Sequence, residues 1–365
     1  MLAASFEGTD DHVRRHRFRS IKLAKARQKE KTIRVALVGG ETLLGRELQE
    51  VMESRGTGAA ITAYASTGEG NFGEQEGEAI YLEPLEAESI RDEQAILIAG
   101  SPEGALKAYE VSKDPGAKAV LIDCTGHLEN QPEARIVAPL MEEPDVHASP
   151  VLVIAHPAAS ALALVLARLE RYRRIRHSVV HVFEPASERG KRGVSELHQQ
   201  TTSLLSFKTL EKKVFDAQLG FNLLSKYGED APDKLSTIEQ RIERHVATIL
   251  SRRGEDVSIP MPSLRLVQAP VFHGYSISLW VEFDGDVAVQ ALGEALASAQ
   301  IEVRGENDTV PDSVGAASQS GLIAGDIRID HNNARAAWVW VVADNLRLTA
   351  DAAVDLISGL RTEQQ

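Results

Sequence analysis

Residues 33–39 (IRVALVG) form a short, β-branched apolar run, which predicts a buried strand. A glycine turn follows. Leu44, Leu48, Val51 and Met52 then recur at helical spacing and predict an amphipathic helix from Leu43 to Ser54. Apolar runs at 61–65, 95–99, 119–123 and 151–155 predict four more strands. A helix is expected over 103–112 and a glycine- and glutamate-rich loop over 68–77. Short apolar strands alternating with helices predict a doubly wound parallel sheet.

The pattern changes after Pro157. Residues 158–172 read as one long helix, followed by longer runs at 178–184, 264–271, 276–283 and 336–343. In 276–283, Ile277, Leu279, Val281 and Phe283 share one face, and Ser276, Ser278, Trp280 and Glu282 share the other. Trp338, Trp340 and Val342 alternate in the same way. This predicts a mostly antiparallel sheet with two distinct faces and helices on one of them. Between the strands, Ile238, Ile242, Val246 and Ile249 mark a helix over 234–252, with Ser236–Glu239 as an expected capping box. A final helix is expected over 351–360 and a polar loop over 305–320. The fold class is therefore α/β: a Rossmann-like domain at 33–156, completed by C-terminal residues 345–365, and a second α+β domain at 157–344.

Length and composition narrow the function classes. The 365 residues suit about two domains. The net charge of −13 hides an asymmetry, because residues 1–32 carry +5 and the rest carries −18. An acidic body argues against nucleic-acid binding, except through that basic tail. The tail is expected to be disordered and dispensable for folding, and it lacks the apolar core of a secretory signal. No apolar run approaches the ~20 residues that span a bilayer, so no membrane partner is expected. The single cysteine, Cys124, excludes an intrachain disulfide and fits a reducing cytoplasm.

Gly39-Gly40-Glu41-Thr42-Leu43-Leu44-Gly45 lies between a predicted strand and helix, the place of a dinucleotide fingerprint. Thr42 stands where a glycine lets the backbone approach phosphate. Further segments carry a resemblance. Ala99-Gly100-Ser101 follows the third strand, and Leu121-Ile122-Asp123-Cys124-Thr125 resembles V-I-D-N-S. Residues 187–197 resemble S-G-A-G-x-x-G-x-x-E-L. Phe215, Gln218, Phe221 and Asn222 fit F-x-x-Q-x-x-F-N, and residues 342–347 read V-A-D-N-L-R. In this order and spacing the chain resembles the aspartate-semialdehyde dehydrogenase family over about residues 33–360. That family interconverts an acyl phosphate and an aldehyde through a cysteine thioester.

The resemblance also implies where the chemistry is lost. The nucleophile of A-N-P-N-C falls on Ala159, the glutamine beside it on Glu184, and a glycine of the adjacent turn on Glu188. The general-base histidine falls on Tyr275, an arginine before it on Gln268, and the phosphate-contacting arginine on Glu129. No catalytic residue is therefore intact, and the three carboxylates are expected to repel an acyl phosphate. The chain is similar to a cysteine-less, Usg-like branch of the family, and a pseudoenzyme that keeps the homodimer is the reading implied. The alternative is an NAD(P)-dependent oxidoreductase of amino-acid biosynthesis with an altered reaction on an aldehyde or related carboxylate.

For the cofactor, the resemblance assigns Gly39, Thr42, Gly45, Gly100 and Asn345. Gly68 and Glu69 stand where the family has an arginine for the 2′-phosphate. NAD is thus possible, NADP less so, and neither is required.

Other chemistries find less support. Cys124 with His127 is a conceivable relocated nucleophile, and a small half-buried residue is the plainer reading. His156 and Ser160 lack a nucleophile elbow. His177, His181, His273 and His331 share no metal-ligand spacing, so no metal is expected. Glu184 and Glu188 could receive a small cationic ligand, but solvated loop charges are the favoured reading; an anionic ligand is the other option for the site.

Overall fold

The 33–39 run folds as β1 (Arg34–Val38) in a computed structural model that describes residues 32–362, apart from 68, 76–77, 83, 144 and 253–258. The basic tail up to residue 31, and Gly68, lie outside the described residues. After β1 come α1 (Leu43–Ser54), β2 (Ala60–Tyr64), β3 (Asn71–Gln75), β4 (Glu78–Leu82), β5 (Ala95–Ile98), α2 (Pro102–Ser112), β6 (Val120–Asp123), β7 (Ala134–Val137) and β8 (Val151–Ile154). Six of these strands make a wholly parallel sheet in the order β2-β1-β5-β6-β8-β7. Its central strands β1, β5, β6 and β8 are buried on both sides, as their continuous apolar runs require, and the outer strands β2 and β7 are partly exposed.

The expected loop over 68–77 is corrected. Residues 71–75 and 78–82 pair as the antiparallel strands β3 and β4. Glycine and glutamate mask the strand signal there, because backbone pairing sets these strands and not apolar periodicity.

The second half holds α3 (Pro157–Tyr172), β9 (Ile175–Glu184), α4 (Gly190–Leu205), α5 (Leu235–Ser251), β10 (Ser263–Gln268), β11 (Tyr275–Phe283), α6 (Val289–Leu296), β12 (Ile301–Val303), α7 (Ser313–Ala316), β13 (Leu322–Asp330), β14 (Asn333–Ala343) and α8 (Asn345–Thr362). Its sheet runs β10-β9-β11-β14-β13-β12. The three central pairings are antiparallel and the two outer ones parallel. One face, with Val180, Val182, Ile277, Leu279, Val281, Val339 and Val341, joins α3, α5 and α6 in a single core. The other face carries half-buried Phe183, Ser276, Ser278, Trp280, Trp338 and Trp340. Helix α8 packs its alanines and Val354, Leu356 and Ile357 against the core of the first sheet, beside α1.

The capping box at Ser236 does not form. Lys234 is the N-cap of α5, with no side-chain cap, and Glu239 instead accepts from the Leu266 amide of the neighbouring strand at 2.6 Å. Tertiary pairing of a strand edge outbids a local cap here. None of the helices among the described residues is long and apolar enough to cross a membrane.

Candidate functional site

Helix α3 starts at Pro157, and proline suits a first helical position because its missing N–H would be unpaired there anyway. Ala159 lies in that first turn, fully buried, and offers only a methyl group. The N-cap, His156, makes no side-chain cap. Its backbone N–H donates to His245 Nδ1 at 2.9 Å, and its Nε2 lies 3.9 Å from Glu188 Oε2. Burial, reinforced by the cationic Arg241 and Arg189, holds its pKa well below the usual histidine range. The ring is therefore neutral, and Ser160 is buried in the same first turn.

Each of the three carboxylates is bound by partners from this chain. Glu129 receives Arg244 Nη2 at 2.9 Å, His245 Nε2 at 3.0 Å and Arg241 Nε at 3.3 Å. Burial raises its pKa, but the His245 hydrogen bond and the positive Arg241 and Arg244 together hold it below the usual carboxylate range. Glu184 is fully buried at the end of β9 and accepts from Arg189 Nη2, while Arg189 Nη1 reaches Asp233 at 3.3 Å. Glu188 accepts from Asn345 Nδ2 at 2.8 Å. The expectation of solvated loop charges at Glu184 and Glu188 is thus overturned, because the 3-10 turn Ala186–Arg189 folds inward and sets Arg189 on Glu184. Repulsion of an anion by Glu129 is overturned as well, since two guanidiniums balance it. The cations Arg189, Arg241 and Arg244 are committed to carboxylates of this chain.

Glu184 carries a pH signature. Desolvation raises its carboxyl to about 7, and Arg189 opposes the shift without cancelling it. A folded pKa raised above the unfolded one gives stability that is full below the ordinary carboxylate range. That stability is lost as pH rises through about 7. Glu184→Gln, which cannot ionise, should therefore melt close to the parent chain at pH 5 and gain on it by pH 8. Thermal unfolding at both pH values checks this, and a constant difference between the two chains would contradict it.

The remaining positions are equally committed. Gln268 accepts from the Tyr227 hydroxyl at 2.6 Å and donates to the Glu184 carbonyl at 2.8 Å. Tyr275 opens β11 almost fully buried, its ring 6.0 Å from that of His156. Desolvation and the charges of Glu188 and Glu184 push its phenol well above the usual range, so it is no base near neutral pH. Asn345 Oδ1 accepts from Ser187 Oγ and the Gly274 amide, both at 3.1 Å. Cys124 is buried, and desolvation and Asp123 push its thiol well above the usual range, the opposite of an activated nucleophile. His127 is likewise held below the usual histidine range by burial.

The glycine turn closes on itself. Gly39 has φ +92°, and a Cβ there would come within 2.7 Å of Gly100. A Cβ on Gly45 would reach 2.0 Å from the Gly39 carbonyl, and one on Gly100 2.3 Å from that of Ser66. Thr42 does not intrude on the outer surface of the turn. It is the N-cap of α1: its hydroxyl accepts from the Gly45 amide at 2.9 Å and lies 2.8 and 3.0 Å from the Gly39 and Ala99 carbonyls. Glu41 accepts from the Ser66 amide at 2.8 Å, and Lys191 of α4 donates to the Glu41 carbonyl at 2.7 Å. Glu69 is paired with Lys107 at 2.9 Å, a cation the sequence reading did not bring to this place. No group of three or more His, Cys, Asp or Glu among the described residues could hold a metal.

Comparison with known proteins places this geometry. The family model for "Semialdehyde dehydrogenase, dimerisation domain" matches residues 166–348. A USG-1 protein homolog from Azotobacter vinelandii is 28% identical over 323 residues, covering 86% of this chain and 93% of that protein. Another, from Pseudomonas aeruginosa, is 32% identical over 249 residues, covering 66% and 72% respectively. The solved structure of a probable aspartate-semialdehyde dehydrogenase from Pseudomonas aeruginosa superposes with a TM-score of 0.76 at 28% identity, over 91% of this chain and 99% of that one.

Proposed function

The chain belongs to the aspartate-semialdehyde dehydrogenase family and its USG-1-like branch, and from that premise we propose that it is a pseudoenzyme that keeps the family's assembly without its acyl-transfer reaction. The observation that carries this reading is Ala159. A thioester needs a polarisable nucleophile at a helix N-terminus, and this helix presents a buried methyl there. Tyr275 in place of a base, and Arg189, Arg241 and Arg244 already engaged by carboxylates, support it from independent positions. We assign residues 33–156 with 345–365 to a Rossmann-type domain and 157–344 to a pairing domain. The open sheet face with Trp280, Trp338 and Trp340 is the surface on which two copies of this chain meet, and the matched dimerisation domain supports a homodimer.

A dinucleotide fits the turn poorly. The helix-end amide of Gly45 is capped by Thr42, and the Ser66 amide is taken by the Glu41 carboxylate. Asn345 makes its bonds to Ser187, Gly274 and Glu188. NAD is expected to bind no tighter than ~100 μM. NADP should bind more weakly still, because Lys107 is already paired with Glu69 and that pair offers a 2′-phosphate no free cation. Calorimetry with both dinucleotides tests this, and micromolar NADP binding would contradict it.

A further inference from the structure

A cleft of about 310 Å³ lies between the start of α5, the edge strand β10 and the segment 225–229. That volume is at the lower end of the range for small-molecule sites. The cleft stands apart from the start of α3, because Ala159, Glu184, Glu188 and Tyr275 are not among its walls.

Its walls are charged unevenly. Lys226, Lys234 and Arg265 face the same space as Glu229 and Glu239, which leaves one net positive charge in a chain whose net charge is −13. Three of these five groups make bonds within the chain. Lys234 donates to the Gly228 carbonyl at 3.3 Å, the Glu229 backbone carbonyl accepts from the same ammonium, and Glu239 accepts from the Leu266 amide. Lys226 and Arg265 are exposed, and among the described residues neither holds an ion pair or a side-chain hydrogen bond.

Backbone donors open on the same cleft. The N-cap of α5, Lys234, makes no side-chain cap, and the Thr237 and Ile238 amides return to the Lys234 carbonyl. Leu235 and Ser236 line the cleft, and their amides donate to no acceptor among the described residues. Glu239, whose spacing suits a cap, is held by β10 instead. The start of this 17-residue helix thus adds two N–H groups and the positive end of its dipole to the two uncommitted cations.

We propose that this cleft binds a small monocarboxylate through Arg265, Lys226 and the first amides of α5. The planar guanidinium of an arginine matches a carboxylate, and a lysine adds a point charge beside it. Net charge decides between oxyanions. One positive charge, with about half a charge more from the helix end, balances a carboxylate. A phosphate dianion would be under-compensated there, beside Glu229 and Glu239. The inference is independent of the lost acyl transfer, since no residue of that site takes part in it.

The test titrates the full chain with propionate at pH 8 and constant ionic strength, followed by saturation-transfer NMR of the ligand. Propionate should bind saturably. Arg265→Gln and Lys226→Gln each remove one exposed cation and should each weaken binding about tenfold. Arg328→Gln, on β13 towards the opposite edge of the sheet, should leave it unchanged. Inorganic phosphate, largely a dianion at this pH, should displace propionate less well than acetate does. Absence of saturable binding overturns the inference. So does undiminished binding in either Arg265→Gln or Lys226→Gln, an equal loss in Arg328→Gln, or better displacement by phosphate than by acetate.

Discussion

Ala159→Cys alone should not produce a working dehydrogenase. A thiol there opens α3, where the helix dipole favours a thiolate. Its surroundings offer no effective base, because the Tyr275 phenol is held well above the usual range and burial holds His156 well below it, which makes that ring a weak proton acceptor. General acid–base help alone is worth ~10²–10⁴ in rate, and the arginines of the site remain bound to Glu129 and Glu184. Adding Tyr275→His and Glu184→Gln returns a base and removes a buried carboxylate. The triple variant should exceed the single one in aldehyde oxidation measured as reduced dinucleotide formed. Efficient turnover by the single variant would show that the site is broken at one position only.

Arg189→Ala should have the largest effect on stability. It removes the cation from a fully buried Glu184 and releases Asp233 as well. Breaking a buried pair on one side typically costs about 3–5 kcal/mol, because the remaining charge has no compensation. Denaturant unfolding at pH 8 should show a loss of that order. At pH 5 the loss should shrink, since Glu184 protonates readily in the folded chain. A loss below about 1 kcal/mol at pH 8 would mean that the pair holds nothing in place.

The parallel sheet was legible because buried strands read as continuous apolar runs, and β1, β5, β6 and β8 all do. Alternation in 276–283 likewise revealed the two faces of the second sheet. The pairing of 71–75 with 78–82 left no such trace, since the backbone ladder holds it and not an apolar alternation. At the site, residue types were legible and their partners were not. Glu129 read as a repelling charge because Arg241, Arg244 and His245 lie more than a hundred positions away, and only the packing of α5 against the first sheet brings them to it. Arg189 was closer at hand, five residues after Glu184. No regular helix or strand spacing predicts that contact, which the inward 3-10 turn creates. Lys107 beside Glu69 was hidden in the same way.

The central claim is that this chain keeps a dehydrogenase fold around a site that cannot form a thioester. The most direct measurement is phosphate-dependent oxidation of aspartate semialdehyde by the purified full chain, with NAD and with NADP, beside an active aspartate-semialdehyde dehydrogenase. The account predicts a rate at background with either dinucleotide. Turnover within about tenfold of the active enzyme, a deficit of only ~1.4 kcal/mol in the barrier, would contradict it.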